Sequence, residues 1–192
     1  MKDDKLRVIG GRFKGQKLYV PTRWAGRPTA DRVRENMFNV LVHATWSIGV
    51  HGFTQYCVVD GFAGTGALGF EALSRGAKHV TFMERNRSAQ RAIRRTAEHL
   101  GVTNMVKILD WDMTRPCLAS AACGIGFIDP PYCRSLVCPS LESLSRNGWL
   151  IDGAITVVEL SVNEALTLPR GFLSLDERVY GSTRLVFLRH QL

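Results

Sequence analysis

Long apolar runs are absent from this sequence of 192 residues, whose uninterrupted hydrophobic stretches reach only a few positions. A bilayer-crossing helix needs roughly 20, so no transmembrane span and no membrane partner are expected. A secretory leader is not expected either, because Met1-Lys2-Asp3-Asp4-Lys5 is charged and runs into no apolar segment. The cytosol is the expected compartment. Cysteine is sparse and unpatterned: Cys57, Cys117, Cys123, Cys133 and Cys138 are odd in number and form no C-x-x-C pair. Free thiols are therefore expected, in place of a disulfide framework or a zinc site. The five histidines fall in no recognisable motif with a cysteine, so neither thiol catalysis nor a metal centre is expected. Low-complexity tracts are also missing. With 45% apolar and 22% charged residues, the chain has the composition of a globular domain. Its length is about 1.3 times a typical 150-residue allowance, which implies one domain with a modest extension.

Acidic residues are scarce in one region only. Residues 1–35 hold ten basic and four acidic side chains, a net of +6, whereas the remaining 157 hold fifteen and thirteen, a net of +2. A basic arm on a nearly neutral body is the electrostatic footprint of contact with a polyanion; a solubilising tail is the alternative. The arm's pattern favours the first. From Arg7 to Val20 two short β-prone runs surround glycines, with cations and apolar residues interleaved. This predicts a hairpin that presents Arg7, Arg12, Lys14 and Lys17 on one face while Val8, Phe13, Leu18 and Val20 pack inward.

After Pro21 the chain passes through Arg27-Pro28-Thr29, and Thr29 is a candidate N-cap for a helix over 30–46. Val33, Met37, Val40, Leu41 and Ala44 recur there at the spacing of a buried stripe. Arg27, Arg32 and Arg34 cluster at its start, unfavourably placed against the helix dipole. An anionic partner would offset that cost; a solvated first turn is the simpler alternative. Residues 1–50 are accordingly read as a basic extension and 51–192 as the main domain.

From Tyr56 onward strands alternate with helices. Residues 56–60, 79–84, 105–109, 125–129 and 155–160 read as strands, and 66–75, 86–100 and 136–146 as helices, which implies a parallel, doubly wound α/β sheet. Phe172–Tyr180 and Thr183–His190, joined by Gly181-Ser182, read as an antiparallel hairpin. A Rossmann-like sheet that ends in such a hairpin is the plan of class I methyltransferases, although fold does not fix function. The helix at 86–100 carries Arg87, Arg91, Arg94 and Arg95, a face that reads as solvated or as an extension of the anion-binding surface.

The chemistry is expected at the C-terminal ends of the strands, where open α/β sheets bind ligands. Asp60-Gly61-Phe62-Ala63-Gly64-Thr65-Gly66-Ala67-Leu68-Gly69 follows the first strand. Gly64 and Gly66 permit a tight turn into a helix and a close backbone approach to a ligand. Together with Gly69 they also satisfy G-x-G-x-x-G, so a dinucleotide and S-adenosylmethionine both remain open. Asp60 suits the cationic methionine portion of the latter better than it suits a pyrophosphate. Glu84, at the end of the second strand, can accept both hydroxyls of a ribose. Asp112 is a candidate acceptor for an adenine amino group, or else an exposed loop acid.

The strongest element is Gly126-Phe127-Ile128-Asp129-Pro130-Pro131-Tyr132. An exocyclic amine on a base is a poor nucleophile because its lone pair is delocalised into the ring. The Asp129 carboxylate and the Pro130 carbonyl can accept the amine's hydrogens, localising that pair and aiming it at a sulfonium methyl. Pro130 and Pro131 stiffen the backbone and remove competing N–H donors. Tyr132 offers a ring on which an unstacked base can lie. Asp129 can also take the proton released during transfer, and Arg134 lies close enough in sequence to touch the target strand.

These segments together resemble bacterial methyltransferases of the RsmD type, over nearly the whole chain. The resemblance rests on Arg7-Val8-Ile9-Gly10-Gly11 through Gly15, Arg27 to Glu35, Asp60 to Gly69, and Asp129 to Tyr132. The last two segments are shared with amino-methyltransferases generally; the first two single out this family. Phe62 stands where the commonest methyltransferase loop has glycine, as is usual in amino-methyltransferases, and Asp129 replaces a frequent asparagine. The resemblance implies S-adenosylmethionine as cofactor, held at Asp60, Phe62, Gly64, Gly66 and Glu84, with catalysis at Asp129 and Tyr132. It further implies methylation of a guanine N2 amine in small-subunit rRNA, on a partly assembled 30S subunit, and a monomeric enzyme without metal. DNA adenine-N6 methylation is the enzymatic alternative, and a non-catalytic RNA-binding assembly factor the other. A nicotinamide oxidoreductase would have no use for Asp-Pro-Pro-Tyr.

Overall fold

The computed structural model describes residues 6–21, 31–48, 52–115 and 117–192. Arg27 and the expected cap Thr29 lie outside them. Seven strands form one sheet: β1 Cys57–Gly61, β2 His79–Met83, β3 Val106–Leu109, β4 Cys123–Ile128, β5 Leu150–Ser161, β6 Phe172–Tyr180 and β7 Thr183–His190. Their order is β3-β2-β1-β4-β5-β7-β6. β1 to β5 run parallel, β7 inserts antiparallel to β5, and β6 closes the edge antiparallel to β7. The order reverses between β1 and β4, the switch point at which a crevice opens above the strand ends.

Strand periodicity divides the core between two faces. Val58, Phe82, Phe127, Val157 and Phe187 face one side with α1 (Asp31–His43), α2 (Ala67–Ser74) and α3 (Arg87–His99). Their neighbours Val59, Met83, Ile128, Val158 and Leu188 face the other with α4 (Val137–Arg146). The central strands β1 and β4 are buried on both faces, which is why they read as continuous apolar runs and not as alternation. Gly181 turns the β6–β7 hairpin at φ +60°, in the left-handed region that glycine enters without steric cost.

The predicted N-terminal hairpin is only partly realised. The chain does fold back on itself, through Val8 N–H to Gln16 O (3.0 Å), Gly15 N–H to Val8 O (2.8 Å) and Leu18 N–H to Leu6 O (2.9 Å). Yet among the described residues it forms a single bridge, Arg7 to Lys17, around a 3-10 turn over Gly11–Phe13. The donors that a ladder would use are spent on α2. Ile9 and Gly10 donate to the two oxygens of buried Glu71 at 2.7 and 2.8 Å, and Phe13 N–H donates to Ser74 Oγ at 2.9 Å. The two bonds to the Glu71 carboxylate are charge-assisted and each worth about 1.5–3 kcal/mol. A side chain at Gly11 would place its Cβ 2.0 Å from the Ser74 carbonyl oxygen, so only glycine permits this docking. Leu6, Val8 and Leu18 join the core below α1 and α2, whereas Val20, expected to pack inward, is exposed.

α1 also departs from expectation. It ends at His43 and not near 46; Trp46 instead packs on Phe187, ring centroids 5.3 Å apart. Arg34, expected among the anion-binding cations, is fully buried. It lies four and seven residues before the core residues Phe38 and Leu41, and therefore on the same helix face. Its Nη2 donates to Arg7 O (2.6 Å) and to Asp31 Oδ1 (2.9 Å), tying the helix to the arm. Burial holds its guanidinium below the ordinary value. Arg34 is thus structural, out of reach of a polyanion.

Candidate active site

A cavity of ≈ 870 Å³ opens at the C-terminal ends of β1, β2, β4 and β5, with the β6–β7 turn forming one lip. That is at the large end of the roughly 300–1,000 Å³ usual for ligand sites. Asp60, Phe62, Gly64, Glu84, Asp129, Pro130, Pro131 and Tyr132 all line it. Residues 70 positions apart in sequence thus share one chamber.

The loop after β1 is built from left-handed residues, with φ of +59° at Phe62, +57° at Gly64 and +74° at Gly66. For Phe62 this is a strained conformation, of the kind that persists where surrounding structure over-determines it. The turn presents Gly64 N–H to Glu84 Oε2 at 2.8 Å, while Glu84 Oε1 accepts Asn86 N–H at 2.6 Å. Asn86 in turn caps α3 through Ser88 and Ala89. Gly66 also has a packing task. It is not part of the cavity wall, and a Cβ there would meet Phe70 at 2.9 Å and Phe82 at 3.0 Å. Its glycine serves the packing of α2 on the sheet.

Asp60 is buried and its Oδ2 accepts the Gly69 N–H of α2 at 2.9 Å. Burial pushes its carboxyl up to about 8, against the pull of the Gly69 N–H and with the Glu84 charge adding to the rise. Asp112 stands apart from these residues. It does not line the cavity: its Oδ1 accepts the Thr114 N–H (3.0 Å) and hydroxyl (2.8 Å), and its Oδ2 pairs with Arg85 at 2.9 Å. Those Thr114 bonds, ahead of the Arg85 charge, hold its carboxyl below the usual range. Asp112 is thereby braced within its own loop.

Opposite Glu84, β4 delivers Asp129 and the two prolines to the wall. The Tyr132 hydroxyl donates to Glu159 Oε1 at 2.9 Å and lies 3.3 Å from Thr183 Oγ1. Burial first, opposed by the Thr183 bond, and then the Glu159 and Asp129 charges raise its phenol above the ordinary value. The hydroxyl is thereby held, leaving a partly exposed ring at the cavity. Beyond it the loop is again left-handed at Cys133 (φ +57°) and Ser135 (φ +52°), with Cys133 N–H donating to Glu164 at 2.9 Å. Sequence reading missed Glu159, Thr183 and the Gly181-Ser182 lip. For Glu159 a signal existed, as the one charged residue in the apolar run Ile155–Leu160.

The hydrogen bonding of the loop after β1 bears on the two cofactor classes. Among the described residues, the carboxyl groups of Asp60, Glu84, Asp129 and Glu159 and the guanidinium of Arg85 line the cavity. The Gly64 N–H that a pyrophosphate would use is occupied by Glu84. A Glu84 carboxylate on that N–H disfavours a dianionic phosphate linker there, and does not disfavour a cationic sulfonium.

The arm's cations lie elsewhere. Phe13 docks on Ser74, the last residue of α2, and Arg12 Nη2 reaches Met105 Sδ (3.3 Å) just before β3. Both points are at the N-terminal edge of the parallel strands, away from the cavity. Arg12, Lys14, Lys17 and Arg32 are exposed. Arg7 is also exposed but braces its own loop through Gly15 O at 2.7 Å. Lys17 and Arg95 of α3 both stack on Tyr19, at 5.3 and 4.0 Å from the ring centroid. Arm and helix thus share one basic surface.

The family model described as Conserved hypothetical protein 95 matches residues 6–189. Ribosomal RNA small subunit methyltransferase D of Escherichia coli strain K12 is 36% identical over 178 residues, covering 92% of this chain and 86% of that one. The protein of the same description from Haemophilus influenzae is 32% identical, covering 92% and 90%. The solved structure of the Escherichia coli protein yhhF superposes with a TM-score of 0.81 at 32% identity, covering 97% of this chain and 98% of that one. With the class I methyltransferase sheet, an acidic cofactor chamber and Asp-Pro-Pro-Tyr on its wall, the chain belongs to the RsmD family of small-subunit rRNA guanine-N2 methyltransferases.

Proposed function

We propose that this enzyme methylates the N2 amine of guanine 966 in 16S rRNA, acting as a cytosolic monomer on assembled 30S particles. The observation that carries the chemistry is the placement of Asp129-Pro130-Pro131-Tyr132 across one cavity from the Gly64–Glu84 pair. S-adenosylmethionine, when bound, supplies an electrophilic methyl group and leaves as a neutral thioether. Glu84 would hold its ribose, Asp60 its cationic methionine end, and Phe62 with Gly64 the turn between them. Across the chamber, the Asp129 carboxylate and Pro130 carbonyl accept the amine's hydrogens and localise its lone pair. The Tyr132 ring, immobilised through its hydroxyl, stacks on the extruded base. As the N–C bond forms the amine becomes cationic, and Asp129 takes its surplus proton. Alignment of amine and methyl supplies much of the rate.

The test is methyl transfer from labelled S-adenosylmethionine to 30S subunits lacking the modification, to naked rRNA and to duplex DNA, followed by nucleoside analysis. N2-methylguanosine from subunits alone, mapped to position 966, is the expected result. N6-methyladenine from DNA would replace this reading, and cofactor binding with no transfer to any substrate would make the chain a non-catalytic factor.

The basic surface around Arg12, Lys14, Lys17 and Arg95 supports a second contact with RNA. Because α2 alone spans roughly 12 Å, that contact falls well away from the target base. Arg12→Ala with Lys14→Ala is expected to weaken RNA binding and flatten its log–log salt dependence by up to about two units of slope. A slope equal to that of the unmodified protein would remove the arm from the RNA footprint.

A further inference from the structure

A shallower groove of ≈ 320 Å³ lies between α1 and β6, at the small end of the range usual for ligand sites. Its α1 wall carries Asn36, Asn39, Val40 and His43, which recur at the three- and four-residue spacing of one helix face. The β6 wall carries Arg178 and Tyr180, two residues apart and so on one face of the strand. This groove adjoins the active-site cavity. Tyr180 lines both, and Val33, which lines the cavity, lies one helical turn before Asn36. Tyr180 also pairs with Thr183 across the β6–β7 turn, and Thr183 Oγ1 is 3.3 Å from the Tyr132 hydroxyl. The groove therefore starts on the Tyr132 side of the cavity, where the extruded base is placed.

A base drawn into the cavity stays joined to its strand, so the neighbouring nucleotides must cross the rim. The inference rests on the RNA reading above. At that rim the Tyr180 ring is half-buried and packs against the core, a fixed platform of the kind on which single-stranded bases stack. Asn36 is half-buried and Asn39 exposed; each amide both donates and accepts, as the edge of a base requires. Arg178 donates to Asp176 Oδ2 from Nε at 3.1 Å and from Nη2 at 2.8 Å. A guanidinium has five N–H donors, so this pairing orients it and leaves donors for a phosphate. We propose that the groove seats one nucleotide flanking the target guanine, its base stacked on Tyr180 with its edge toward Asn36 and Asn39, and its phosphate at Arg178.

An abasic residue removes a base and keeps its phosphate, which separates these contacts. Small-subunit particles are reconstituted intact or with an abasic residue on either side of the target. They are methylated by the wild type, by Asn36→Ala combined with Asn39→Ala, and by Arg178→Gln, and unaltered S-adenosylmethionine binding checks the fold of each variant. For the wild type, loss of one neighbouring base is expected to lower kcat/KM about tenfold, within the range for removing one base–aromatic stack. The asparagine pair should lose about tenfold on intact particles and match the wild type on that abasic particle, where no edge is left to read. Arg178→Gln should slow intact and abasic particles by the same factor, because both keep the phosphate. A wild type indifferent to the loss of either neighbouring base would overturn the proposal. An asparagine pair slowed equally on intact and abasic particles would take the base out of the groove, and Arg178→Gln as fast as the wild type would remove the phosphate. Failure of the wild type to methylate intact particles would instead strike the underlying reading.

Discussion

Asp129→Ala is expected to lower turnover by roughly 10³-fold, within the range for loss of a positioned acceptor and base. The Kd for S-adenosylmethionine should stay within about twofold, because Asp60, Glu84 and Gly64 hold the opposite wall of the cavity. The losses in kcat and kcat/KM should be similar, the signature of an interaction made in the transition state. Asp129→Asn separates two contributions. Its amide oxygen still accepts from the amine and still localises the lone pair, but it cannot take a proton near neutral pH. If localisation dominates, the asparagine variant should retain activity to within about tenfold of wild type. Single-turnover kinetics with saturating cofactor would distinguish the cases, and weakened cofactor binding with normal turnover at saturation would contradict the assigned role.

Asp60 should make cofactor binding depend on pH. Its carboxyl is raised to about 8, chiefly by burial, whereas an aspartate in the unfolded chain ionises near 3.9. Between those values the folded, ligand-free protein holds a proton that the unfolded chain has lost. This group's contribution to stability therefore falls as pH rises from about 4 to about 8. A cationic ligand reverses the preference, because it favours the ionised carboxylate. Affinity for S-adenosylmethionine is expected to rise up to about tenfold per pH unit below pH ~8 and then to level off, with release of up to about one proton on binding. Calorimetric titrations in buffers of different ionisation enthalpy measure both quantities. Asp60→Asn should bind more weakly at pH 8, lose the pH dependence and stabilise the ligand-free protein near neutrality. Affinity that stays flat from pH 6 to 8, with no proton released by the wild type, would dissociate Asp60 from the cationic end of the cofactor.

Much of the site was legible because its signals are local. Asp60-Gly61-Phe62-Ala63-Gly64 and Asp129-Pro130-Pro131-Tyr132 each follow a short apolar strand, and strand ends are where an open sheet exposes functional groups. Alternation of strand and helix, followed by two strands with no helix between them, was enough for the sheet and its antiparallel close. Residue type and spacing carry such information because backbone propensity and two-fold or 3.6-fold periodicity act over a few residues.

Other features were settled by partners distant in the chain. Arg34 reads as one cation in a basic cluster; only the packing of α1 buries it against Arg7 O, beside Phe38 and Leu41. Gly66 reads as a cofactor glycine, and only the approach of Phe82 from β2 shows what a side chain there would strike. The arm's residues have hairpin propensity, but Glu71, about 60 positions away, takes the donors a ladder requires. Glu159 acquires its place through a strand register that sets it next to Asp129 and beneath Tyr132. The sequence by itself determined the sheet, the glycine-bearing loop after β1 and the Asp-Pro-Pro-Tyr segment after β4, since these depend on neighbours along the chain. Tertiary structure alone decided which charges are buried, which glycines serve packing and which carboxylates share the cavity, because burial and electrostatic proximity depend on neighbours in space.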